Sequence, residues 1–270
     1  MRTWVLGSGS RGNAVLVDCG ESRVLIDAGF PVRTLAARLE RAGVPPEAIE
    51  AVVITHEHSD HVRGAGAAAT KWGWTIHATA GTVAACPELS EGNVQTFETG
   101  GTITLSHMEI RSVRVPHDAS EPVAFVATAT RTGARVGIAY DLGSASPSLC
   151  QALREVDVLV LEANHDDELL RAGPYPLSVR ERIAGRHGHL SNRAAARLAR
   201  ECVHAGLAHV VLAHLSERCN DPVLAHAAVT GALAGARRRL PVHVAMQDAV
   251  TGPFEPGLRQ RSASVQMELF

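Results

Sequence analysis

The sequence is poor in aromatic side chains, holds one lysine, pairs none of its cysteines and contains no long apolar run. Aromatics make up 4% of the 270 residues against 46% hydrophobic residues in all, so the core is expected to be built from Val, Leu, Ile and Ala. Cys19, Cys86, Cys150, Cys202 and Cys219 are scattered and form no Cys-x-x-Cys pair. That argues against a disulfide framework or a thiolate zinc cage, and for a reducing compartment. No stretch approaches the ~20 apolar residues that span a bilayer. The residues before Gly7-Ser8-Gly9-Ser10 lack the apolar centre of a signal peptide. The expectation is a cytoplasmic protein without membrane contact. Lys71 alone among arginines points to genome base composition and carries no function. A net charge of −2 gives no global attraction to nucleic acid. Locally the balance differs: Arg180, Arg182, Arg186, Arg193, Arg197 and Arg200 face a single acid, Glu181, between Ser178 and Arg200. Such a surface can hold a phosphate backbone, although a solvated helix face would carry the same charges.

What the chain has in quantity is histidine, 14 in all. The decisive segment is Thr55-His56-Glu57-His58-Ser59-Asp60-His61, which follows the apolar run Ala51-Val52-Val53-Ile54. The run reads as a buried strand and the histidines as the loop at its end. Imidazole and carboxylate are ligands for borderline divalent metals such as zinc, with manganese and iron close behind. Neighbours this close cannot all bind one ion without strain, but alternate ones reach adjacent sites. His56 and His58 would serve one metal, and Asp60 and His61 a second.

Periodicity and turn residues predict strands over 3–6, 14–18, 23–27, 51–54, 74–77, 109–115, 123–130, 135–140, 157–162, 208–213 and 242–245. Helices are expected over 32–42, 64–72, 146–154, 166–171, 178–184, 191–205 and 222–235. Strands in hairpins first, then alternating with helices, suggest two mixed α/β sheets with helices outside. From Gly252 the Pro, Gly, Ser and Arg content reads as a linker, so residues 1–251 form the expected domain and 252–270 a linker with a terminal peptide.

The spacing His-x-His-x-Asp-His resembles the metal motif of the metallo-β-lactamase superfamily, mostly hydrolytic two-metal enzymes. The resemblance implies a four-layer αββα sandwich with the metals at one edge. It also implies a lone His after a strand, then an Asp, then a final His. Val115-Pro116-His117, Tyr140-Asp141-Leu142 and Ala213-His214-Leu215 supply them in that order. The implied set is His56, His58 and His117 for one divalent ion, Asp60, His61 and His214 for the other, and Asp141 shared. Asp27, in Leu25-Ile26-Asp27-Ala28-Gly29, matches a position that braces the metal loop. Two such ions suit attack on phosphorus or on an acyl carbon. The ligands alone leave a phosphodiesterase, a thioester hydrolase of glyoxalase II type and a lactamase open.

Four further pieces narrow this. Ser8-Gly9-Ser10-Arg11-Gly12-Asn13 is a glycine-rich turn whose amides, hydroxyls and Arg11 could cradle phosphate. With His117-Asp118-Ala119, Leu161-Glu162-Ala163-Asn164-His165-Asp166 and Gly188-His189-Leu190-Ser191-Asn192, it resembles the WalJ/YycJ branch, bacterial 5′→3′ DNA exonucleases. The similarity covers about residues 3–245. It departs at Tyr140, where Thr often precedes the Asp, and at Cys219-Asn220, where paired Asn is usual. It implies substrate contacts from Ser8, Ser10, Arg11, Asn13, Asn164, Ser191 and Asn192. His189 is expected to bind phosphate or to protonate the leaving 3′-oxygen, with Asp60 and Asp141 at the reaction centre. Ser191 would also serve as an ordinary helix cap. The expected function is a two-metal DNA exonuclease in replication or repair. A small-molecule phosphodiesterase, an RNA-processing nuclease and a non-catalytic metal-binding adaptor stand as alternatives. The last residues, Gln266-Met267-Glu268-Leu269-Phe270, are similar to the short motif by which bacterial replication proteins dock on the polymerase sliding clamp. Gln266, Met267, Leu269 and Phe270 would make that contact, unless the segment packs on the globule as a strand.

Overall fold

The structure is a computed structural model that describes residues 1–235 and 239–257. Its strands are β1 Arg2–Gly7, β2 Ala14–Asp18, β3 Arg23–Ile26, β4 Ala51–Val53, β5 Thr75–Thr79, β6 Asn93–Phe97 and β7 Thr102–Thr104, followed by β8 Met108–Arg114, β9 Val123–Ala129, β10 Arg135–Ala139, β11 Val158–Glu162, β12 His209–Ala213, β13 Val242–Val244 and β14 Thr251–Phe254. They form two seven-stranded sheets, ordered β14-β1-β2-β3-β4-β5-β6 and β13-β12-β11-β10-β9-β8-β7. In the first sheet β3 to β6 run parallel, and in the second β10 to β13 do. The helices are α1 Val32–Arg41, α2 Ser59–Val62, α3 Ala65–Trp72, α4 Ala80–Ala85, α5 Pro147–Leu153, α6 Asp167–Ala172, α7 Leu177–Ala184, α8 Asn192–Glu201 and α9 Pro222–Leu233. Among the described residues no helix is long and apolar enough to cross a membrane.

Strand alternation builds the layers. In β2, Val15 and Val17 face the other sheet while Leu16 faces the helices. In β11, Val158 and Val160 point inward, and Leu159 and Leu161 outward. One core therefore fills the space between the sheets, with Ile26, Val53, Phe125, Ile138 and Val211 among its members. A second lies under α1 and α3, around Leu35, Leu39 and Ala68. A third lies under α5, α8 and α9, around Leu149, Leu198 and Val229. This is the expected αββα sandwich, and it explains why so many strands are apolar on both faces.

Three strands differ from the sequence reading. Asn93–Phe97 and Thr102–Thr104 are edge strands of polar, largely exposed residues, without the apolar signal that marks the inner ones. Thr251–Phe254 pairs with β1, Thr3 opposite Phe254 and Val5 opposite Thr251, so the sheet runs on into the segment read as linker from Gly252. Pro253 is tolerated because β14 is an outermost strand and need not donate on its free side. The rest of that segment, 258–270, lies outside the described residues, and Gln266, Met267, Leu269 and Phe270 with it.

Candidate metal centre

The parallel strands of both sheets end at one edge, and the chemistry-bearing residues follow directly after them. Asp27 follows β3, the His56–His61 loop follows β4, Asp141 comes two residues after β10, and His214 follows β12. Asp27, Asp141 and His214 adopt φ of 61°, 56° and 54°, the only non-glycine residues with positive φ among those described. Strain of this kind gathers at functional sites, because a left-handed turn aims the side chain back over the sheet edge. Gly29 has a different cause: a Cβ there would lie 1.7 Å from the Asp60 carbonyl oxygen, so only glycine lets the Asp27 loop reach α2.

The candidate ligands come together in overlapping groups. One ligand atom from each of His56, His58 and His117 lies within 4.8 Å of the others, and the same holds for Asp60, His61 and His214. Asp141 groups with His56 and His61 on one side and with His214, His189 and Glu162 on the other. Asp141 Oδ2 is 2.9 Å from His61 Nε2, while its Oδ1 is 3.1 Å from His214 Nδ1 and 3.2 Å from His189 Nδ1.

Asp27, Asp60, Asp141 and Glu162 bring four carboxylates into this edge, and their ion-pair partners among the described residues are all histidines. Burial disfavours charge on Asp60, Asp141, Glu162 and the ligand histidines whose pKa values are shifted, yet mutual attraction outweighs it in most. Burial would lower His61, but Asp60, Asp141 and Asp27 hold its pKa well above the imidazole value. His189 is raised the same way by Glu162 and Asp141, and His214 to about 9 by Asp141, Asp60 and Glu162. Burial would raise Glu162, but His189 and His214 bring it down to about 2. Burial pushes His56 well below the usual range, helped by neighbouring imidazoles, and it lowers His117 as well. Among the candidate ligands, His56 Nε2 and Asp141 Oδ2 are buried without a hydrogen-bond partner, although Asp141 Oδ2 lies 2.9 Å from His61 Nε2. Orphaned ligand atoms, neutral imidazoles and clustered carboxylates together fit divalent cations.

Supporting residues orient the ligands. Asp27 Oδ2 faces His61 Nδ1 at 2.7 Å and accepts from Thr55 Oγ1 and the Tyr140 hydroxyl at 2.8 Å each. The brace expected of Asp27 is therefore present as a direct contact. Glu162 was not singled out from the sequence. It ends β11 fully buried, accepts from the amides of Leu142 and Leu190, and faces the Nδ1 atoms of His189 and His214 at 2.8 and 3.2 Å. Its signal was a carboxylate at the carboxyl end of an otherwise apolar parallel strand, the place occupied by Asp27 in the other sheet.

Several expected substrate contacts are engaged inside the protein instead. Ser8 accepts from the His214 amide and donates to Asn13, and Asn13 donates toward Gly9 O and Asp60 Oδ2. Asn164 donates to His214 O. Ser191 caps α8 by accepting from the Ala194 amide at 3.3 Å, and Asn192 exchanges two amide bonds with Asn220. All five are buried, and these bonds hold their loops in place. Ser10 and Arg11 are exposed, with Arg11 bound to Glu217 and Asp248 at 2.8 and 2.6 Å. His189 keeps 20% of its side chain exposed and stands 5.2 Å from the His117 ring and 5.4 Å from the His214 ring. Arg193, Arg197 and Arg200 lie on the exposed face of α8, while Ala195, Leu198 and Ala199 are buried.

A family profile described as Beta-lactamase superfamily domain matches residues 22–215. The chain is 33% identical over 234 residues to an Exodeoxyribonuclease YycJ of Bacillus anthracis, covering 85% of this chain and 88% of that one. It is 32% identical over 238 residues to an Exodeoxyribonuclease WalJ of Streptococcus pneumoniae serotype 2, covering 86% and 88%. Among solved structures, the metallo-beta-lactamase fold protein YhfI from Bacillus subtilis superposes with a TM-score of 0.72 at 18% identity, covering 93% of this chain and 99% of that one.

Proposed function

The chain belongs to the beta-lactamase superfamily, and on that footing we propose that this metal-dependent hydrolase is a two-metal phosphodiesterase that degrades DNA from its ends in the 5′→3′ direction, in replication or repair. The observation that carries the reading is the convergence of two three-residue ligand groups on Asp141. His56, His58 and His117 would hold one divalent ion, Asp60, His61 and His214 a second, with Asp141 between them. Zinc, manganese and iron all suit these donors. Divalent ions bound there would lower the pKa of water and offset charge developing on phosphoryl oxygens.

The chain's own residues supply the rest. His189, with Nδ1 held by Glu162 and Asp141, has its pKa raised by them and keeps part of its side chain exposed, so it can serve as the acid that protonates the departing 3′-oxygen. Asp27, Thr55 and Tyr140 fix the His61 ring, and Asn13 fixes Asp60. The exposed α8 arginines would give the phosphate backbone a basic border, with Ser10 and Arg11 adding hydrogen-bond donors. DNA as substrate is supported by the exodeoxyribonuclease names of relatives that this chain matches over most of their length. The test is digestion of end-labelled DNA and RNA by metal-reconstituted protein. Release of mononucleotides from 5′ ends of DNA is expected, and faster hydrolysis of a thioester such as lactoylglutathione would overturn the reading.

A role in replication or repair would put the enzyme in the cytoplasm. Gln266, Met267, Leu269 and Phe270 would dock it on the sliding clamp, with two adjacent apolar anchors and an amide for orientation.

A further inference from the structure

Beside the ligand groups lies a cavity of about 350 Å³. Phe30, Pro31, Thr34 and Arg38 form one wall, and Asp60 belongs both to this lining and to the metal centre. Arg63 follows α2, two residues after His61; it is exposed, its amide donates to Ser59 O, and its guanidinium has no hydrogen-bond or ion-pair partner among the described residues. Arg38 is largely buried in that wall, with its guanidinium carbon 3.9 Å from the Phe30 ring centre and its Nη1 donating to Leu6 O and Gln247 O. Arg11 is fixed by Glu217 and Asp248, and its backbone amide donates to Gln247 Oε1. The cavity thus carries three guanidinium groups against two carboxylates. Asp248 is already engaged by Arg11 and Arg38, and Asp60 faces the ligand histidines, which leaves Arg63 as the guanidinium of this lining without a carboxylate partner. The hydroxyls of Ser10 and Ser59 stand at the rim.

We propose that this cavity receives the terminal phosphorylated nucleotide of a DNA end, with Arg63 binding the phosphate monoester and the Phe30–Thr34 wall receiving the nucleoside. The inference rests on the DNA-end reading above. The volume is at the small end for ligand pockets, enough for one nucleotide and too little for a continuing strand. A doubly charged terminal phosphate gains more from an unpaired guanidinium than an internal diester does, because both oxygens of a bidentate pair carry charge. Occupation of the cavity would set the first internal phosphodiester against Asp60 and so favour ends over interior sites. The chemistry serves a 5′- or a 3′-phosphate alike, and the experiment separates them.

Full-length, metal-reconstituted protein is compared on matched single-stranded oligonucleotides bearing a 5′-phosphate, a 3′-phosphate or hydroxyls at both ends. One phosphorylated end should be hydrolysed about tenfold faster in kcat/KM than the hydroxyl control, the scale of one charge-assisted contact. Arg63→Gln should bring that ratio close to unity. Thr34→Trp, which fills the cavity from the first turn of α1, should do the same without removing charge. Indifference of the parent protein to both phosphates overturns the subsite, as does a preference that survives both substitutions. If no DNA is cleaved at all, the earlier reading fails, and the subsite is then judged by thermal shift with 5′-dAMP, 3′-dAMP and inorganic phosphate. Stabilisation by one mononucleotide that Arg63→Gln abolishes supports it, and no shift with any of the three overturns it.

Discussion

The Tyr140 hydroxyl donates to Asp27 Oδ2 at 2.8 Å, joining the second sheet to the first beneath the ligand histidines. Both residues are buried, and the same Asp27 oxygen faces His61 Nδ1. Tyr140→Phe removes a hydrogen bond to a carboxylate while keeping the ring, and should cost about 1.5–3 kcal/mol in urea unfolding. Metal retention during dialysis against chelator should weaken too, because His61 loses a fixed orientation. A variant as stable and as metal-retentive as the parent would show that the bond ties nothing together.

Asp141 carries two separable burdens, a shared ligand position and a φ of 56°. Asp141→Ala and Asp141→Gly should both abolish nuclease turnover. Their stabilities should differ, since alanine pays for left-handed backbone by roughly 1–2 kcal/mol and glycine does not. Metal-free samples of the two variants, unfolded in urea, test this directly. Equal stability would mean the turn relaxes when the carboxylate goes, and activity in either variant would remove Asp141 from the centre.

The ligand groups were legible because metal chemistry admits few residue types and the strands deliver them at fixed places. The layered fold was legible from strands apolar on both faces, such as Val158–Leu161. Supporting polar residues were harder. Ser8 and Asn13 sit in a glycine-rich turn that looks like a phosphate cradle, yet their bonds close on His214 and Asp60. Sequence shows that such groups can bond, and only the fold shows to what. Glu162 hid at the end of an apolar run, where one acid reads as the strand's exit. The strand Thr251–Phe254 hid behind Gly252 and Pro253, residues that break inner strands but are tolerated at an edge.

Glu162 faces two histidines with one carboxylate oxygen, so its charge sets the proton affinity of both. Glu162→Gln leaves an amide of similar shape without that charge. If His189 acts as a proton donor, the parent should lose activity as pH rises through its raised pKa. The variant should lose it at lower pH, with kcat reduced on the order of 10²–10⁴-fold, the range for a lost acid. A pH–rate profile of each decides the matter. An unshifted alkaline limb would show that Glu162 does not tune the acid.

Metal removal should change how stability depends on pH. Without ions, His214 is raised to about 9, burial opposing and Asp141, Asp60 and Glu162 prevailing. A histidine raised on folding lends stability that is complete below the unfolded value near 6.5 and is lost as pH climbs through the folded one. Chelator-treated protein should therefore lose stability between about pH 6.5 and 9. Metal-loaded protein should instead weaken on acidification, because protons compete with ions for the same nitrogens. Melting curves at pH 6, 7, 8 and 9 with and without chelator separate the two. Parallel curves would argue against cations replacing protons in this cluster.

Docking through Gln266, Met267, Leu269 and Phe270 would give the DNA reading a partner, and it can be tested apart from catalysis. Adjacent Leu and Phe side chains supply most of the apolar area in so short a peptide, so binding should fail when both are cut back. A synthetic peptide of residues 262–270 should bind purified bacterial sliding clamp. Leu269→Ala with Phe270→Ala should remove clamp binding from the full-length protein and spare hydrolysis of short oligonucleotides. If the same side chains pack on the globule instead, the double substitution should lower the melting temperature, and the peptide should not bind. A folded double variant that still binds clamp would place the contact elsewhere on the chain. Coupling through the tail should also raise the local concentration of enzyme at loaded clamps, so activity on clamp-loaded DNA should exceed that on naked DNA at low enzyme concentration. The double variant should show no such gain, a readout that a purely structural tail would leave unchanged.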